Sequence, residues 1–197
     1  MATINKASIM QKIANSVSIE SEMHKRIYAR FQESKDKLIE EFESHPVTVE
    51  IKGGIDAINS SGTLGGYGNL FTYIGFPDGS DPTEIVKEIL ESEIVLFKVN
   101  KSVVGERVKY QYRVIIPEKT LRDETSMPFE TGNSWLYDIE TGISGFSNYV
   151  YGRFKSPDPS RSGGGIQSKY PHLGATFIPV PYIRDLISKF TERVGAR

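Results

Sequence analysis

The sequence predicts an α+β domain: an antiparallel sheet packed with a long N-terminal helix and a C-terminal helix, with long glycine-rich loops. Three observations carry this reading. Helical periodicity fills the first 45 residues, an unbroken two-residue alternation runs from Val108 to Ile116, and helical spacing returns from Pro181 to the end. The 197 residues fit one domain, 1–197. A 38% apolar and 25% charged composition is that of a chain with a packed core. The net charge of −1 excludes a generally basic nucleic-acid binder while leaving room for a local basic patch. With no cysteine, disulfides, Cys-ligated zinc, iron–sulfur clusters and thiol nucleophiles are all excluded. No apolar run reaches the ~18–20 residues of a membrane span, and Met1 to Val17 lacks the apolar stretch of a secretory signal.

The elements follow in order. Ile4, Ala7, Met10, Ile13, Ala14 and Val17 recur at helical steps and predict a first short helix. Ser18 is placed to cap a second, with Glu20 and Glu22 in its first turn. Ile19, Met23, Ile27, Phe31, Leu38 and Phe42 share one face of it, and Ser34 and Lys35 interrupt the stripe. His45-Pro46 ends this helix. Val47, Val49 and Ile51 alternate with Thr48, Glu50 and Lys52, the pattern of a strand. Residues 53–69 hold six glycines and form a loop too long for a tight turn. Leu70 to Phe76 is an apolar run that reads first as a buried strand, with a helical segment as the alternative. Asp81-Pro82-Thr83-Glu84 reads as an N-cap, a first-position proline and a capping-box carboxylate, opening a helix with Ile85, Val86, Ile89 and Leu90 on its apolar face. Ile94–Val99 and Val108–Ile116 predict paired antiparallel strands joined by 100–105. In the second, Val108, Tyr110, Tyr112 and Val114 alternate with Lys109, Gln111 and Arg113, one face buried and one basic. Residues 117–133 read as irregular, with a helical turn near 119–124. Ser134 opens a short helix with Trp135, Leu136 and Ile139, closed by Gly142. Residues 146–155 return to alternation, and 156–169 form a loop rich in Pro, Ser and Gly. The last helix gathers Tyr182, Ile183, Leu186, Ile187, Phe190 and Val194 on one side.

Motifs of catalysis are largely missing. His24, His45 and His172 are far apart and share no ligand spacing. There is no Gly-Lys-Ser/Thr phosphate cradle, and Gly163-Gly164-Gly165 precedes a polar segment rather than a helix. Glu50-Ile51-Lys52 has a nuclease-like carboxylate-x-Lys spacing without a preceding acidic strand. No G-x-S-x-G elbow is present. An enzyme would have to draw on scattered carboxylates such as Glu50, Asp78 and Glu140. No cofactor and no metal site is expected. Aromatic and basic side chains do cluster, at Phe146, Tyr149, Tyr151, Arg153, Phe154, Lys155 and Arg161. A strand with one face in the core, a protein interface and a single-stranded nucleic-acid surface all use this mix, and they rank in that order. Arg107, Lys109 and Arg113 offer a second basic face for a nucleic-acid-binding module. Charge is uneven: residues 1–46 are neutral, 47–147 carry nine basic against fifteen acidic groups, and 148–197 carry eight against three. Such polarity can steer head-to-tail association, although an ordinary solvated surface has it too.

One ordered set of motifs resembles a known family. It runs Ser134-Trp135-Leu136-Tyr137, Ile139-Glu140-Thr141-Gly142-Ile143-Ser144-Gly145, Ser160-Arg161-Ser162-Gly163-Gly164-Gly165-Ile166-Gln167, and Gly174-Ala175-Thr176-Phe177-Ile178-Pro179 before the terminal helix. This order resembles the neck and tail-completion proteins of tailed bacteriophages, the lambdoid-type head–tail connectors, over about residues 134–190. The resemblance implies a non-catalytic α+β subunit of a homo-oligomeric ring between capsid and tail. Its partners would be neighbouring connector and tail proteins, with transient proximity to genomic DNA and no membrane. It would be assembled in the host cytoplasm and end in the virion. The candidate assembly interface is Trp135, Tyr137, Phe146, Tyr149, Arg153 and Arg161. At 197 residues the chain is longer than the small connectors, and 53–80 reads as an insertion.

Overall fold

Among the described residues helical segments dominate, and a single β-hairpin stands among them. The structure, a computed structural model, describes residues 6–14, 16–65, 68–105, 107–128, 132–142 and 177–195. The order is α1 (Lys6–Ala14), α2 (Val17–Ser44), α3 (Pro46–Lys52), a 3-10 turn (Gly54–Asp56), α4 (Leu70–Ile74), α5 (Pro82–Ser92), β1 (Val95–Val104), β2 (Arg107–Ile115), α6 (Glu118–Glu124), α7 (Trp135–Thr141) and α8 (Ile183–Gly195). The α+β expectation holds, with an antiparallel sheet of two strands between a long N-terminal helix and a C-terminal helix. Residues 146–155 and 156–169, expected as strand and loop, lie outside the described residues.

Helix α2 starts two residues earlier than expected, with Ser16 rather than Ser18 at the N-cap position. Its buried seam is Phe31, Ser34, Leu38 and Phe42, at steps of three and four. The expected interruption at Ser34 is absent: the small side chain is buried and continues the seam. Lys35 beside it sends its ammonium to the carbonyls of Glu91 (2.5 Å) and Ile94 (3.0 Å). Those carbonyls, at and just past the end of α5, would otherwise lack this donor. Helix α8 packs along α2, with Phe190 edge-on to Phe31 at 6.0 Å. Arg193 clamps Glu41 through both guanidinium Nη atoms (2.7 and 3.0 Å), and Arg30 donates to the Arg193 carbonyl (2.8 and 3.1 Å).

The strand expected at 47–51 is a helix. Pro46 takes the first turn and the His45 imidazole Nδ1 accepts from the Val47 N–H (3.3 Å). Five residues of V-T-V-E-I satisfy both periods, and the neighbours decide between them. Helical geometry places Val47 and Ile51 four apart in the core, buries Thr48 and Glu50, and turns Val49 outward at 50% exposure. Val47 and Val49 therefore do not share a face. The ambiguous run 70–76 is also helical: Asn69 Oδ1 accepts from the Thr72 N–H (2.9 Å) and Gly75 closes α4 at φ +87°. The N–H groups of Gly75 and Phe76 both reach the Phe71 carbonyl at 3.1 Å, a stop that a left-handed glycine permits. Helix α5 opens as read, the Asp81 carboxylate accepting from the N–H and hydroxyl of Thr83.

The long 53–69 connection is anchored on a buried carboxylate. Glu50 is 1% exposed. Its Oε1 accepts from the Asn59 amide (2.9 Å) and the Leu70 N–H (2.7 Å), and its Oε2 from the Ser61 N–H (2.8 Å). Asn69 adds two bonds from its side-chain amide to the carbonyls of Ile55 and Ala57, both 2.9 Å. On the other side of α3, the Thr48 and Tyr182 hydroxyls are hydrogen-bonded at 2.7 Å, and the Tyr182 ring stacks on Phe42 at 6.0 Å. This seven-residue helix thus joins α2, the loop, α4 and the head of α8. Glu50→Ala takes the acceptor from the Ser61 and Leu70 N–H groups, while the Asn59 amide keeps the Thr63 hydroxyl (3.4 Å). At ~1–3 kcal/mol for each unsatisfied buried group, we expect a loss of about 2 kcal/mol or more. Denaturant unfolding followed by circular dichroism measures it, and an unchanged midpoint would refute the anchor.

Candidate interaction surface

Two residues proposed for an interface from sequence lie in the core instead. Trp135 is 2% and Tyr137 3% exposed. The short helix α7 buries four of its seven residues, so both rings point inward. Trp135 stands edge-on to Phe76 at 5.5 Å. Arg122 covers the Tyr137 ring at 4.1 Å and Arg184 lies 5.4 Å from its centre. Both are packing residues here, and a direct contact with another subunit is not open to them in this fold. Ser134, expected as a cap, pairs its hydroxyl with that of Thr125 (2.6 Å) instead. Phe146, Tyr149, Arg153 and Arg161 lie outside the described residues.

The scattered carboxylates are positioned by the backbone rather than converging on a cleft. Glu50 is held as above. Glu140 reaches the head of α8, where its Oε1 accepts from the N–H groups of Tyr182 and Arg184, both 2.8 Å. The positive end of a helix favours a carboxylate there. Asp78 is exposed in the turn before α5. His45 is tucked against Tyr182 at 4.8 Å, and burial pushes its pKa below the ordinary value, which keeps Nδ1 free to accept. His24 stacks on Tyr112 at 5.8 Å. Among the described residues no three His, Asp or Glu side chains gather as a metal-ligand set, and no helix is long and apolar enough to cross a membrane.

What the fold does expose is the hairpin. The expected link at 100–105 is largely strand: β1 continues to Val104, and the turn centres on Gly105 at φ +60°. Register pairs Val95 with Ile115, Phe97 with Arg113, Asn100 with Gln111, Ser102 with Lys109 and Val104 with Arg107, after a shift at Val99. Opposed residues share a face, so these pairs form one outer surface. On it Phe97 is 41% and Val104 63% exposed, beside three cations. The inner face carries Leu96, Tyr110, Tyr112 and Val114, and it is half-buried rather than buried as expected. Leu96 and Val114 pack against the hydrophobic core, and polar contacts tie the rest of the face to α1 and the first half of α2. Lys98 and Lys101 both bind the Glu20 carboxylate, Lys101 at 2.7 Å, and Lys101 also donates to the Ala14 carbonyl (2.9 Å). Among the described residues no third strand pairs with it, and a two-stranded hairpin is marginal alone and presents a template for partners. The alternation in β2 located the basic row. The register that brings Val95, Phe97 and Ile115 onto the same face needed the structure.

No family model, curated protein or solved structure matches the chain.

The Glu20 contact has a pH signature. Hydrogen bonds from Lys101 and Lys98 lower the Glu20 pKa from 4.5 to about 2. Its contribution to stability is complete above pH 4.5 and is lost as pH falls towards about 2. We expect Glu20→Gln to be less stable than the parent at neutral pH, with the gap closing across that window. Unfolding midpoints of both proteins against pH measure this, and a gap independent of pH would refute it.

Proposed function

We propose that this chain is a structural assembly protein, a subunit of a homo-oligomeric ring at the head–tail joint of a tailed bacteriophage. One observation carries the assembly part: the outward hairpin face, where Val95, Phe97 and Ile115 remain in solvent beside Arg107, Lys109 and Arg113. Exposed apolar side chains gathered with arginine are the composition of a protein contact. The phage part rests on the resemblance of residues 134–190 to neck and tail-completion proteins. Such a subunit works by position and contact, and the reading calls for no cofactor. Its neighbours would be connector and tail proteins, and its final location the virion.

A second reading has its own observation. Arg107, Lys109 and Arg113 alternate along one exposed strand face, as a nucleic-acid-binding module would arrange them. Binding would then fall steeply with salt, and a flat filter-binding signal at low salt removes it.

Gold-labelled antibody on purified phage particles from the source culture tests the first reading. We expect label confined to the head–tail joint. Unlabelled particles beside a strong signal in the soluble lysate would overturn it.

A further inference from the structure

We infer that the hairpin's outer face binds the acidic groove between α2 and α5 on a second copy of this chain. This deepens the assembly reading by naming a partner, and it rests on that reading only in treating the face as a protein contact.

The groove is an open trough beside the C-terminal half of α2. Asp36, Glu40, Glu43 and Glu91 line it, and Ile39 supplies apolar surface. Its one lining cation, Lys35, is turned onto the Glu91 and Ile94 carbonyls. Lys87 reaches in from α5 to bind Glu43 at 2.6 Å and lies 3.9 Å from Glu91. Asp36 and Glu40 remain on the exposed rim. The trough therefore keeps an excess of negative charge around an apolar strip.

The hairpin has the opposite character. Its outer face carries Arg107, Lys109 and Arg113 and, among the described residues, no carboxylate. Asp36, Glu40 and Glu43 follow at steps of four and three, a line about 10 Å long on a helix. Lys109 and Arg113 are about 13 Å apart on a strand. The two rows oppose in sign, and Phe97, directly across from Arg113, is the apolar group presented to Ile39. The hairpin and the groove belong to different elements of one chain. A contact between them joins unlike surfaces, the kind that repeats around a ring or closes reciprocally in a pair.

The test is a charge exchange on the full chain. One variant carries Lys109→Glu with Arg113→Glu, and the other carries Asp36→Lys with Glu40→Lys. All four side chains are exposed, and thermal unfolding of each variant confirms folding. Sedimentation velocity at low ionic strength reads association. We expect the parent to self-associate and salt to weaken it, while each variant alone binds itself roughly tenfold or more weakly. An equimolar mixture of the two variants restores association, because acidic hairpins then meet basic grooves and the parental pairing survives between the other two surfaces. A parent that stays monomeric at every concentration reached would overturn the inference, as would variants that associate like the parent or a mixture that does not recover. Parent binding to a DNA oligonucleotide that the hairpin variant loses, with self-association unchanged, would assign the face to nucleic acid instead. Particle labelling is read separately: labelled joints without charge-exchange rescue remove only this contact, and rescue without labelled particles removes only the phage assignment.

Discussion

The buried carboxylate of Glu50 is the constraint on which the rest of the core depends. A charge taken out of water is costly unless its lone pairs are filled, and here three donors fill them. Two of those donors come from the 53–69 connection and the third is the first N–H of α4. The same short helix holds Thr48, whose hydroxyl meets Tyr182 at the head of α8. One seven-residue helix therefore fixes elements that are distant in sequence. The glycine-rich stretch has a path because a single side chain collects its polar groups, not because it packs an apolar face of its own.

Away from that core the interactions change in kind. Around α3 the side chains are buried Val, Ile, Leu and aromatic residues, close-packed with α2, α4, α5, α7 and α8. The hairpin meets the core through Leu96 and Val114, and Glu20, two lysines and a stacked His24–Tyr112 pair tie it to the first half of α2. Ile19, Met23 and Tyr28 remain exposed along that half of α2. Among the described residues a close-packed core therefore stands beside a thinner lobe that turns several of its apolar side chains outward. In an assembly subunit such a lobe is what a neighbour covers, while the core supplies rigidity whether or not a neighbour is present.

Much of this was legible in the sequence where one local signal acted alone. Asp81-Pro82 opened α5, Gly142 followed α7, and the β2 alternation gave a strand with a basic side. Reading failed where two periods fitted the same residues. Val47 to Ile51 alternates convincingly, yet the cap from His45 and the burial of Glu50 select a helix. Trp135 and Tyr137 failed for another reason: large aromatics suit an interface and a core equally, and α7 is short enough to be buried on most of its surface. The burial of Glu50 was not legible, since a buried carboxylate differs from a surface one only in donors supplied 9 to 20 residues later. The hairpin's exposed face depends on strand register, which composition does not encode.

Hydrogen exchange of the isolated chain, resolved by segment, tests the division between core and lobe most directly. Amides of α3, α4 and the head of α8 are expected to exchange only on global unfolding. Those of β1 and β2 should exchange orders of magnitude faster, and should gain protection when the protein associates. Equal protection across core and hairpin in the free chain would contradict it, because the hairpin would then be complete without a partner.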